Sequence, residues 1–243
     1  ETMETAQDME MTRVQAGEVI AFEGHDTIVS LWADRCARYG DRVCHREKEL
    51  GIWQAYSWRD YYQAARHIGL ALMELGVRKG EPVLILCEDR REWLYCDLAA
   101  AAIGAIPAGV YTTDSAAQLA YLAQDSGARV LFVENDEQLD KWIEARDSMP
   151  GIDHVVVFDR DGLADFAHPK VRFLDEIVAL GAAAADPDRF ERALAEVRPE
   201  HPRMLIYTSG TTGPPKGAIL THRNMIFQLV AGTQVLDFRD SDN

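Results

Sequence analysis

The sequence predicts an α/β fold: a mainly parallel, doubly wound sheet of repeated βαβ units with helices on both faces. Three observations carry that expectation. The segments "PVLILCE", "ARVLFVE" and "HVVVFD" are short, nearly continuous apolar runs, as expected of strands buried on both faces. Capped helical stretches lie between them, so strand and helix alternate, and such alternation builds parallel neighbours through crossover helices. At 243 residues and 47% hydrophobic content, the chain is long enough for one large α/β domain or two small ones.

The elements follow in order. Residues 1–25 are polar and show little periodicity. In "TIVSLWADRCARYG", Ile28, Leu31, Trp32 and Cys36 recur at helical spacing and Gly40 is the stop. "RVCHREKELGIWQAYSW" reads as two strands around a turn with Gly51, and Ser57 with Asp60 forms a capping box for a helix from about Trp58 to Leu75, ended by Gly76. After the strand at 82–88, Asp89 and Glu92 have capping-box spacing for a helix through "EWLYCDLAAAAIG". "AIPAGVY" is a short strand, Ser115 caps "AAQLAYLAQDSG", and "DEQLDKWIEARDSM" is a helix. "GAAAADPDRFERALAEV" reads as a connection and helix that mark a subdomain boundary near residue 200. "PRMLIYTSG" begins as a strand, Ala218 to Leu220 form another, and Thr221 caps a final helix.

Composition excludes several function classes. The net charge of −15 argues against a generic nucleic-acid binder, because phosphate backbones require excess Lys and Arg. Residues 201–243 carry a net charge of +1 and are the least acidic part. The longest nearly uncharged apolar run, Leu98 to Tyr111, has 14 residues and contains Gly104 and Pro107; a membrane span needs roughly 20. The acidic N-terminus is the reverse of a secretion signal, so a cytoplasmic location is expected. Cys36, Cys44, Cys87 and Cys96 form no CxxC pair, and the histidines show no HxxxH or HExxH spacing, so neither disulfides nor a metal site are expected.

One stretch carries chemistry. "YTSGTTGPPKG", Tyr207 to Gly217, holds far more small polar residues than a turn requires. Pro214 and Pro215 forbid an immediate helix start, so the loop is expected to tip a hairpin. It is not a Walker A loop, because Pro215 stands where that motif needs glycine and Gly217 follows Lys216. Gly210 and Gly213 can take positive φ, letting backbone N–H groups converge on an anion, while Thr208, Ser209, Thr211 and Thr212 add hydroxyl donors and Lys216 a cation.

The run TSGTTGPPK (208–216), followed by "LTHRN" (220–224), resembles the phosphate loop of the adenylate-forming superfamily, which includes acyl-CoA synthetases, nonribosomal-peptide adenylation domains and luciferases. "EDRREW", "GAIPAGVYTT" and "YLAQDSGARVLFVEN" are similar in order and spacing to the N-terminal region of long-chain fatty acid CoA ligases. The resemblance implies a reaction in which a carboxylate attacks MgATP to give acyl-AMP and pyrophosphate, after which a thiol, usually that of coenzyme A, takes the acyl group. It assigns Thr208, Ser209, Gly210, Thr211, Thr212, Gly213 and Lys216 to the triphosphate. It also implies that residues 26–200 are an α/β subdomain of the AMP-binding domain and that residues 201–243 start a second subdomain. The superfamily's adenine, magnesium and ribose ligands and its catalytic lysine all follow the loop, yet 26 residues remain after Gly217. The chain is therefore expected to be the N-terminal portion of a larger enzyme, inactive alone, with unpaired strand edges that invite self-association. The partners expected are a fatty acid or other carboxylic acid and no nucleic acid, with at most peripheral association with the inner membrane face. Alternatives are a ligase for another acid, an acyl-AMP ligase serving a carrier protein, or a non-enzymatic module that binds nucleotide or a protein.

Other candidates have plainer readings. Trp53, Tyr56, Trp58, Tyr61 and Tyr62 are expected to be core packing, and His222 has a structural role at a helix start as a strong alternative to a substrate contact. "CEDRREW" reads as a solvated strand-to-helix turn.

Overall fold

The computed structural model describes residues 20–208 and 213–236. The chain begins with helix α1 (Ile28–Tyr39), the hairpin of β1 (Val43–Glu49) and β2 (Ile52–Ser57), and helix α2 (Trp58–Glu74). The βαβ succession follows: β3 (Pro82–Leu86), α3 (Arg91–Ala102), β4 (Ile106–Val110), α4 (Ala116–Ser126), β5 (Val130–Val133), α5 (Asp136–Ala145) and β6 (His154–Val157). Then come β7 (Val171–Phe173), α6 (Leu174–Ala182), α7 (Arg189–Ala195), β8 (Pro202–Thr208), β9 (Lys216–Thr221) and α8 (His222–Val235). Seven strands form one sheet in the order β7-β6-β5-β3-β4-β8-β9, parallel except for the antiparallel pair β8 and β9. β1 and β2 form a separate two-stranded ribbon.

The period-two alternation of the strands divides the interior into two cores. Val83, Ile85, Val130, Phe132 and Val156 face the side covered by α1, α2, α3, α6 and α7. Leu84, Leu86, Leu131, Val133, Val155 and Val157 face α4 and α5. This is the doubly wound α/β arrangement expected from the apolar runs. Capping boxes form at Ser57 with Asp60, Ser115 with Gln118, and Thr221 with Asn224, each satisfying helix N-terminal donors locally.

Four local expectations need correction. The cap of α3 lies one residue later than the expected Asp89: Arg90 occupies the N-cap without a side-chain bond, and Glu92 is buried and bonded to Arg90 at 2.6 Å. "CEDRREW" is not simply a solvated turn, since Arg90 also grips Asp159 at 2.8 and 3.0 Å. β7 and α6 are additional elements; three residues of strand are too few to show a period. Gly181 explains the position of α6. A Cβ there would stand 1.7 Å from the carbonyl oxygen of His67, so glycine lets α6 cross the backbone of α2. Among the five aromatics read as packing, Tyr61 is buried and Tyr62 stacks on Trp32 at 5.2 Å, but Trp53 is exposed.

The boundary expected near residue 200 falls between α7 and β8, and the strands beyond it extend the same sheet. A β-bulge between Pro202 and Met204 interrupts the pairing of β8 with β9. Alternation would place Arg203 on the face of Leu205, toward α4 and α5; the bulge turns it instead to α3, where it forms a buried ion pair with Asp97 (Nη1 to Oδ1, 2.9 Å). At the start of α8, His222 is fully buried and its Nδ1 accepts the backbone N–H of Ile28 at 3.2 Å. Its role here is structural. Burial, then Arg203 and His201, push its pKa down to about 3.

Gly181→Ala is expected to destabilise the chain by roughly 3 kcal/mol, lowering Tm by about 6–12 °C; a thermal melt checks it, and an unchanged Tm would remove the close crossing. Because His222 stays neutral when folded but takes a proton when unfolded, its contribution to stability is intact above about pH 6.5 and is lost progressively as pH falls toward 3. Between pH 7 and pH 5 that loss is about 2 kcal/mol. Urea titrations at both pH values should show a smaller fall for His222→Asn, and an equal fall would exclude His222 as the source.

Candidate functional site

β8 lies parallel to β4, with Ala108 opposite Leu205, and turns back into β9. Thr208 and Lys216 face each other as the last register pair of that hairpin. The expected hairpin is thus present at the edge of the sheet. Of the seven residues assigned to phosphate, Thr208, Gly213 and Lys216 are described, while Ser209, Gly210, Thr211 and Thr212 lie outside the described residues. Thr208, Gly213 and Lys216 are all exposed, and Gly213 has φ +107°, a left-handed conformation that favours glycine.

The loop's base is fixed from α4. The Tyr121 hydroxyl donates to the Pro215 carbonyl at 2.8 Å, and the Tyr207 hydroxyl donates to Asp125 Oδ2 at 2.8 Å. Burial and then Asp125 raise the Tyr207 pKa, so the phenol remains a donor. Gly217 permits the close approach: a Cβ there would meet Leu205 Cδ1 at 2.8 Å and Tyr207 Cζ at 3.3 Å. Tyr121, Asp125 and Tyr207 were not among the residues singled out from the sequence. The available signal was the four-residue spacing of Tyr121 and Asp125, which places both on one helix face.

Beside the hairpin, a cleft of about 480 Å³ opens at the carboxyl ends of β3, β4 and β8, where open parallel sheets bind ligands. Cys87, Trp93, Gly109, Tyr111, Ile206 and Tyr207 are among its walls. Burial pushes the Cys87 thiol up to about 12, so it is a neutral wall group rather than a nucleophile. The rim is tied together by charge: the Glu88 N–H donates to Glu134 at 2.6 Å, Thr112 donates to Glu88, and Lys141 donates to the Thr112 carbonyl. Among the described residues, no group of three or more His, Cys, Asp or Glu is placed to hold a metal ion, and no helix is long and apolar enough to cross a membrane. The described residues offer an anchored hairpin with an exposed lysine near its end, next to a partly apolar cleft.

Comparison with known proteins places the chain among ligases and adenylate-forming structures by overall similarity. The chain is 31% identical over 215 residues to the long-chain-fatty-acid–CoA ligase ACSBG2 of Xenopus laevis, covering 88% of this chain and 29% of that protein. It is 33% identical over 205 residues to the long-chain-fatty-acid–CoA ligase FadD15 of Mycobacterium tuberculosis, covering 84% of this chain and 33% of that protein. The chain therefore spans about a third of the length of the curated relatives it matches. Among solved structures, the anthranilate CoA ligase AuaEII, in complex with anthranoyl-AMP, superposes with a TM-score of 0.73 at 25% identity over 89% of this chain and 39% of that one. The model of the AMP-binding enzyme family matches residues 32–243, from within α1 through the loop-bearing hairpin, and the chain belongs to that family.

Proposed function

We propose that this chain supplies the triphosphate-binding part of an AMP-forming acyl-CoA ligase acting on long-chain fatty acids. The observation that carries this reading is the hairpin loop closed by Thr208 and Lys216, held by Tyr121 and Tyr207 beside a cleft at the carboxyl ends of the strands. In the reaction the carboxylate oxygen bonds to the α-phosphorus of ATP as the bond to the β-phosphate oxygen breaks and pyrophosphate leaves. The thiol of coenzyme A then attacks the acyl carbonyl and AMP departs. Negative charge grows on the β- and γ-phosphates as the first bond breaks, so a preplaced lysine and loop donors stabilise the transition state more than the ground state.

In this reading Lys216, with Thr208 and Gly213, holds the departing phosphates, and Ser209, Gly210, Thr211 and Thr212 complete the loop by sequence. Tyr121 positions the loop rather than touching ATP. Mg²⁺ would enter with the triphosphate and neutralise part of its charge. The identity to long-chain ligases supports the fatty-acid substrate. An aryl-acid substrate is favoured by one observation, the superposition on an anthranilate ligase. Pyrophosphate exchange over a panel of acids, in a protein spanning the full length of its relatives, decides between them: activity confined to aryl or amino acids would overturn the long-chain reading.

In that same protein, Lys216→Ala is expected to lower kcat/KM for ATP by roughly 30- to 1,000-fold, corresponding to the loss of about 2–4 kcal/mol of phosphate stabilisation. Its Tm should be unchanged because the side chain is exposed. Wild-type ATP dependence would refute the phosphate role. Tyr121→Phe removes only the hydroxyl that holds Pro215. It should raise KM for ATP by about fivefold, the value of one hydrogen bond of about 1 kcal/mol, and an unaltered KM would show that the loop holds its shape without α4.

A further inference from the structure

The ribbon of β1 and β2 stands apart from the main sheet, and the fold makes no use of its tip. The turn residues Leu50 and Gly51 have φ of +48° and +86°. Tight hairpin turns of this kind favour Asn-Gly, because asparagine tolerates positive φ whereas a bulky side chain is strained there. Leu50 is fully exposed, and Ile52 and Trp53 beside it are 65% and 64% exposed. A strained leucine that contacts nothing gains nothing for the folded chain; its conformational cost is offset only when an apolar phase covers the tip.

Strand pairing sorts the ribbon's charges. Lys48 pairs with Trp53, Arg46 with Ala55, Glu47 with Gln54 and Glu49 with Ile52, and directly paired residues share a face. Both glutamates are bound by Arg91, Glu47 at 2.6 Å. The opposite face is left with Arg46 and Lys48, both exposed and neither ion-paired among the described residues. Lys48 Nζ lies 6.0 Å from the centre of the Trp53 ring. In a chain of net charge −15, this is a local cationic face around an apolar, indole-bearing tip. The base of the ribbon is held firmly: Arg91 sits 4.4 Å over the Tyr56 ring, and His45 bonds the Tyr95 hydroxyl at 3.1 Å.

We propose that this ribbon is a membrane-surface contact. Leu50, Ile52 and Trp53 enter the headgroup region of an anionic bilayer, the indole rests at the interface, and Arg46 and Lys48 meet lipid phosphates. Apolar side chains at the tip of a two-stranded ribbon, joined to cations on one face, suit a fluid anionic surface; a protein partner would have to offer a socket for that tip. The contact does not depend on which carboxylate the ligase uses. Two charges and a shallow insertion make it reversible and weakened by salt.

The test is co-sedimentation of the chain with vesicles of phosphatidylcholine mixed with phosphatidylglycerol, against vesicles of phosphatidylcholine alone. Binding should favour the anionic vesicles, fall about fivefold or more in Leu50→Asn/Trp53→Ser, and lose its salt dependence in Arg46→Gln/Lys48→Gln. Leu50→Asn alone should raise Tm while lowering vesicle binding, a pair of opposite signs that damage to the fold cannot produce. Unchanged binding in the tip variant, or no binding of the wild-type chain to anionic vesicles, would overturn the proposal. So would conversion of an oligomer to a monomer by Trp53→Ser, seen by light scattering, because the tip would then be an interface with another copy.

Discussion

The attachment of the loop-bearing hairpin to the rest of the molecule depends on the buried ion pair between Asp97 of α3 and Arg203 of β8. Main-chain pairing there is thin, with β8 meeting β4 at Ala108 and Leu205. A planar guanidinium held by two carboxylate oxygens fixes direction as well as distance. Removing one partner of such a pair strands a buried charge and costs about 3–5 kcal/mol, although exchanging both for well-packed apolar groups can be neutral. The pair therefore specifies where β8 lies more than it adds net stability. Arg203 Nε and His222 Nε2 are both buried at this seam without a hydrogen-bond partner among the described residues. Two polar groups held in this way show how much packing is invested in the join.

The loop inherits its position from that join. Once Arg203 is docked, the alternation of β8 points Leu205 and Tyr207 toward the core against α4. Tyr207 then reaches Asp125, Tyr121 reaches Pro215, and Lys216 is carried to its place opposite Thr208. No nucleophile is prepared along this path, and the nearby thiol of Cys87 is protonated. The described part of the site works by placing charge and donors, which is what transfer at phosphorus chiefly demands of a protein.

The same economy of position governs the other end of the sheet. Arg90 joins the ends of β3, β5 and β6 through Glu92, Glu134 and Asp159, while Arg91 joins the β1–β2 ribbon to α3. Adjacent arginines of one turn thus hold different parts of the fold, one on the cleft side and one on the ribbon side. Each is half-buried and shared among several carboxylates, so the network is worth more as geometry than as a count of ion pairs.

The sequence by itself determined the class of fold, most of the elements and the hairpin that carries the loop. Local causes suffice for these: the continuous apolar run of Val83 to Leu86, the capping boxes at Ser57 and Thr221, and the glycines and prolines around Lys216 are all read within a few residues. The tertiary structure alone decided which distant residues meet. Asp97 and Arg203, His222 and Ile28, and Tyr121 and Pro215 are 106, 194 and 94 positions apart, and nothing in the local pattern of either partner names the other. The solvated reading of "CEDRREW" failed for the same reason, since Glu134 and Asp159 come to Arg90 from the ends of β5 and β6. Period and capping are properties of one segment, whereas a bulge that turns Arg203 to the opposite face acquires meaning only once the sheet has formed around it.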